Sequence, residues 1–105
     1  MHTIAAIATA RGAGGIAVIR ISGGKAFEIG GKLFYNKNKK FEDIPANFAV
    51  FGGILKSGAV VDEGIFLKFY APRSYTGEDT LEISCHGGVY IANLILSAAI
   101  EAGAK

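Results

Sequence analysis

The sequence predicts an α+β domain in which a mixed β-sheet packs with two helices. Three observations predict it. Runs such as "IAVIRIS" (Ile16 to Ser22) and "TLEISCH" (Thr80 to His86) alternate apolar and polar positions, as half-buried strands do. Two other stretches carry their apolar residues at helical spacing. Fifteen glycines fall largely in pairs at the ends of these segments, where close approach or positive φ is useful. At 105 residues, half of them hydrophobic, the chain fits one domain with one core.

Taken in order, "TIAAIAT" (Thr3 to Thr9) and "IAVIRIS" read as strands joined by the Gly-rich "ARGAGG". "GKAFEIGGKLF", Gly24 to Phe34, reads as a short helix with Ala26, Ile29 and Leu33 on one face, and Ser22 is its candidate N-cap. "YNKNKKFEDIP" is a polar loop with solvated lysines. "NFAVFGGIL" and "VVDEGIFLKFYA" form a hairpin around Lys56-Ser57-Gly58. "PRSYTGED" is a loop opened by Pro72, and "TLEISCH" is the last strand. Gly88 to Ala102 reads as a helix whose only polar stripe is Asn93, Ser97 and Glu101, continued by Lys105. A helix this apolar wants neighbours on more than one side. It is either central in the domain or packed on further chain or a second subunit.

Composition excludes several classes. With 19% charged residues and a net charge of +2, the chain is neither a disordered tail nor a basic nucleic-acid arm, and the net charge alone gives no strong reason for direct nucleic-acid binding. One cysteine rules out an internal disulfide and suits a reducing cytoplasm. "MHTIAAIATARG" lacks the pattern of a signal peptide, and the apolar region after Gly88 is too broken to span a bilayer.

Several residues carry possible chemistry. "TARGAGGIAVIR" is Gly-rich after a strand, yet no Lys-Ser/Thr follows and the next segment is a strand, so the P-loop pattern fails and a tight turn is preferred. Arg20 shares a strand face with Ile16 and Val18; it is either one half of an ion pair, with Glu82 as partner, or a ligand contact. Glu82 lies on one face with Ser84 and His86, opposite Leu81, Ile83 and Cys85. Its carboxylate suits a flat heterocycle presenting adjacent N–H groups, such as a pterin, against the plainer reading of an exposed sheet face. Cys85-His86 is poor support for a metal or nucleophile site, because the two side chains point to opposite faces and the only other histidine is His2. In "SYTGED", Thr76 or Asp79 is suited to ordering the loop, and Tyr75 could be a stacking platform.

The combination "TIAAIAT…GGIAVIRISG", "VDEG" and above all "APRSYTGEDTLEISCHGG" resembles the N-terminal domain of the tRNA-modification GTPase family MnmE/TrmE, over nearly the whole chain. The resemblance implies that residues 1–105 form a folate-binding and dimerisation domain similar to the folate-binding fold of glycine-cleavage T-type proteins, with helical and GTPase domains following. It implies a 5-formyl or related one-carbon tetrahydrofolate as ligand, a homodimer, a flavoprotein partner of the MnmG type, and tRNA as substrate of the full complex in the cytoplasm. GTP, Mg and K would belong to the GTPase domain, whose motifs this stretch lacks, so catalysis within residues 1–105 is not expected. The family's folate-site positions match Arg20 and Glu82, while a third, a lysine in Phe-Leu-Asn-Gly-Lys, would follow Lys105. The family's Thr-Pro-Pro-Gly-Arg/Lys-Gly entrance is replaced by Thr9-Ala10-Arg11-Gly12-Ala13-Gly14. The alternatives are a stand-alone one-carbon transferase of the T-protein type and a pure oligomerisation module.

Overall fold

A computed structural model describes residues 2–8, 15–74 and 76–105. The order of elements is β1 (Ile4–Ile7), β2 (Ile16–Ser22), α1 (Ala26–Leu33), β3 (Phe34–Tyr35), a 3-10 turn (Phe41–Asp43), β4 (Val50–Lys56), β5 (Ala59–Phe69), β6 (Thr80–His86) and α2 (Val89–Glu101). They form one six-stranded sheet in the order β1-β2-β6-β5-β4-β3 with two helices, the α+β class expected. Where a mixed sheet was anticipated, every pairing is antiparallel. The reason lies in the connections. From β3 to β6 each link reverses the chain, giving an antiparallel meander, and β6 then slots beside β2. The one long crossover, through α1, leads from β2 to the far edge, so it creates no parallel neighbours.

Both helices pack on one face of the sheet, and alternation sorts each strand accordingly. Ile19, Ile21, Leu81, Ile83, Phe66 and Ile54 point to the helices and are fully buried. Each contributes about 1.5–3 kcal/mol of burial. Phe34, Phe41 and Phe66 add edge-on and tilted ring contacts at centroid distances of 4.9–6.4 Å. Within α2 only Ala92, Ile95, Ala98 and Ala99 are buried, while Val89, Tyr90 and Ile100 are exposed. The helix is therefore not central in the domain.

The β4–β5 turn is at Ser57-Gly58, whose φ values of 51° and 81° are those of a two-residue hairpin turn twisting with its strands. Gly64 is required by close approach: a Cβ there would lie 1.9 Å from the Ser84 carbonyl oxygen. Ser22 does not cap α1. Lys25 stands at the N-cap with no side-chain cap bond, and its backbone N–H donates to Thr3 Oγ1 at 3.0 Å. Strand β2 points the Ser22 hydroxyl to the other face, out of reach of the helix N-terminus. No helix among the described residues is long and apolar enough to cross a membrane.

Candidate functional site

The sheet face turned away from the helices carries the polar row. Across it, strand pairing lines up Ala6, Arg20, Glu82 and Leu67. Arg20 Nε and Nη2 both donate to Glu82 Oε2, at 3.1 and 2.8 Å. The side chains remain 31% and 18% exposed, so the pair is half-buried rather than sealed. Glu82 Oε1 accepts no hydrogen bond from a described residue, and the Ser84 hydroxyl two positions on makes none either. Sequence reading offered Arg20 an ion pair or a ligand role; the pair is formed, and one carboxylate oxygen of Glu82 is left over.

A cleft of about 430 Å³ opens beside the pair, lined by Ile4 and Ala6 of β1, Arg20 and Ser22 of β2, and Thr76 and Glu78 of the loop before β6. Arg20 lies on its wall, with Glu82 on the next strand behind it. The loop is tied down through hydroxyls. Ser22 Oγ and Thr76 Oγ1 are 2.6 Å apart, Thr76 Oγ1 and Thr80 Oγ1 3.2 Å, and Ser22 Oγ donates to Glu78 Oε2 at 3.5 Å. Asp79 Oδ1 accepts the Ala71 N–H at 3.0 Å and Thr76 Oγ1 accepts the Glu78 N–H at 3.3 Å, the loop-ordering roles expected of these residues. Tyr75 and the Thr9-to-Gly14 loop lie outside the described residues.

Cys85 and His86 part as alternation requires. Cys85 is buried on the helix side, Sγ donating to the Ala17 carbonyl at 3.5 Å, and burial pushes its thiol up. The His86 ring is exposed, with Nδ1 2.7 Å from Asp62 Oδ1, while its backbone N–H donates to Asp62 Oδ2 at 3.0 Å. Burial pushes the Asp62 carboxyl up, but the His86 N–H, the His86 ring and the Glu63 N–H outweigh it and hold it below its ordinary value. No group of three or more His, Cys, Asp or Glu residues suited to a metal ion occurs among the described residues.

Sequence reading missed Asp62, the Ser22–Thr76–Thr80 hydroxyl cluster and Lys68. Lys68 is 2% exposed on the helix side of β5, its ammonium donating to the Phe41 and Ile44 carbonyls at 2.6 and 3.0 Å and lying 4.3 Å from the Phe41 ring centroid. Burial pushes its pKa down, partly offset by Glu42 and Asp43. The signal was available: Lys68 is in phase with Phe66 along the strand, so a core-facing Phe66 implies a core-facing Lys68.

The fold is thus an antiparallel α+β domain with a charged pair beside a cleft on its uncovered sheet face. Residues 3–105 match the family described as "GTP-binding protein TrmE N-terminus". The chain is 44% identical over 106 residues to the tRNA modification GTPase MnmE of Caldicellulosiruptor saccharolyticus, 46% over 105 to that of Acetivibrio thermocellus, and 47% over 103 to that of Francisella tularensis subsp. holarctica. Each alignment takes in 98% of this chain. The chain belongs to the MnmE/TrmE family and corresponds to its N-terminal region. It spans only 22–23% of the length of these relatives.

Proposed function

We propose that this chain is the folate-binding and dimerisation part of a longer tRNA-modification GTPase. The observation that supports this best is the half-buried Arg20–Glu82 pair, with Arg20 on the wall of the cleft and Glu82 Oε1 left over on the strand behind it. In this reading Glu82 accepts hydrogen bonds from the amino and ring N–H groups of a pterin laid on the open sheet face. Arg20 contributes positive charge, orienting the carboxylate or meeting an anionic part of the ligand. Arg11, in the altered "TARGAG" loop, stands outside this assignment. The ligand is a one-carbon tetrahydrofolate of the 5-formyl type, which supplies the carbon unit; the protein's part is binding and orientation. Chemistry is completed with a flavoprotein partner of the MnmG type on tRNA, in the cytoplasm, with GTP, Mg and K used by a GTPase domain outside this chain. The exposed Val89, Tyr90 and Ile100 of α2 supply apolar surface for the homodimer.

Calorimetric titration with 5-formyltetrahydrofolate tests the reading. Wild type should bind, and Glu82→Gln should lose about 1.5–3 kcal/mol, the worth of a charge-assisted hydrogen bond. The titration is repeated on the longer protein that carries the lysine expected after Lys105, and equal affinity in wild type and Glu82→Gln there, or no heat from that wild type, would refute it.

A further inference from the structure

Lys105 lies against the outer edge of β1. Its N–H donates to the Thr3 carbonyl at 2.8 Å, and its carbonyl accepts the Ala5 N–H at 3.1 Å. A residue bonded in this way to both neighbours of Ile4 is paired with Ile4 as in a parallel ladder. The turn after α2 aims the chain there. Gly103, at φ 126°, donates to the Ile100 carbonyl and Ala104 to the Ala99 carbonyl, the two bonds of a Schellman motif. Ala104 is buried, so packing fixes the exit as well.

The edge of β1 has more to offer. The Ala8 N–H donates to the Val18 carbonyl, so Ile4, Ala6 and Ala8 turn their backbone groups to β2, while Thr3, Ala5 and Ile7 turn theirs outward. Among the described residues nothing meets the Ala5 carbonyl or the Ile7 N–H. They are the next groups in line after those that Lys105 holds. The strand reads Ile-Ala-Ala-Ile, with no charge, proline or bulge to discourage pairing.

Strand direction agrees. β6 is antiparallel to β2, and β2 to β1, so β6 and β1 run the same way. A strand parallel to β1 is then parallel to β6 too, and α2, 13 residues long, is the link between them. A helix of about that length is the usual crossover between parallel strands.

We infer that the residues following Lys105 continue as a seventh strand, parallel to β1, and form the outer wall of the Arg20 cleft. The occupant is this protein's own chain, because Lys105 holds the first rung and the chain spans only 22–23% of the length of its relatives. A strand from a second copy would find only the groups beyond that rung. In this register the second residue after Lys105 pairs with Ala6. Its N–H donates to the Ala5 carbonyl and its carbonyl accepts the Ile7 N–H. It extends the row Ala6, Arg20, Glu82, with its side chain on the uncovered face beside the cleft that Ile4, Ala6 and Ile7 line. The sheet thereby becomes mixed.

Amide hydrogen exchange on the longer protein tests this. No ligand is needed, so the inference and the folate reading fail separately. The Ile7 N–H should exchange as slowly as the Ala6 N–H, which faces β2. Proline as the second residue after Lys105 removes the donor to Ala5 and disrupts the ladder. In that variant Ile7 should exchange about tenfold or more faster, with Ala6 and Ile83 unchanged as the check that the domain is folded. Glycine at the same place keeps the N–H and should leave Ile7 slow. The inference is overturned by fast exchange of Ile7 in the unaltered longer protein. It is equally overturned by an Ile7 that stays slow in the folded proline variant, as pairing with a second copy would give.

Discussion

Arg20 and Glu82 on one face of the sheet, and Lys68 on the other, look alike in sequence: each is a charged residue between apolar neighbours in a strand. Their surroundings differ completely. Lys68 is held by the Phe41 and Ile44 carbonyls and the Phe41 ring, so its charge is answered from within. The Arg20–Glu82 pair is half-buried on the uncovered face, its arginine lines a cleft, and a carboxylate oxygen is left over. A charge in a strand is thus a candidate site only when its face is uncovered and its hydrogen-bonding capacity is unfilled.

The largest way to break the comparison is Lys68→Ala. It removes the donor to two carbonyls and leaves a cavity beside Phe41, and should cost about 2–5 kcal/mol in the denaturant midpoint. Lys68→Met keeps the volume and should cost less, about 1–3 kcal/mol, with folate affinity of the folded protein unchanged. The sign with pH follows from burial. Because the folded pKa lies below the ordinary 10.5, the unfolded chain binds more protons between the two values, and stability from this group rises with pH in that window. Lys68→Met should remove that alkaline rise in a series of unfolding curves.

Arg20→Met sharpens the other half. The pair is partly exposed, so its loss should cost stability only about 1 kcal/mol, while ligand affinity should drop about tenfold or more. A variant that loses stability without affinity would move Arg20 into the structural class with Lys68.

Asp62→Asn should act on the acid side only. The folded carboxyl is held below 3.8, so its contribution is full above that value and lost as pH falls through the folded pKa. The variant should therefore show a flatter acid limb in pH-dependent unfolding. Smallest of all should be Lys56→Met. The Lys56–Glu101 pair, 2.6 Å apart on the surface, should leave the unfolding midpoint within experimental scatter and insensitive to salt.

Much of the fold was legible. Strands Ile16–Ser22 and Thr80–His86 were read residue for residue, because alternation is strong in both and glycines or a loop bound them. The hairpin turn was legible from Ser57-Gly58. Strand β3 is two residues long and held only by its pairing with Gly53 and Ile54, so no local pattern announces it. Strand direction depends on which segments become neighbours, which one sequence does not state. The Arg20–Glu82 pairing was legible as an option because both lie mid-strand on the polar face. The wall of the cleft was not, since it depends on the loop folding back so that Thr76 meets Ser22, 54 positions away.

The central claim is that the open charged pair, not the buried lysine, receives the ligand. Amide shift mapping during titration with 5-formyltetrahydrofolate tests it most directly. Shifts should concentrate at Arg20, Glu82, Ser84 and Thr76, with Lys68 unmoved. Shifts centred on Lys68 and Phe41, or none on β2 and β6, would contradict the account.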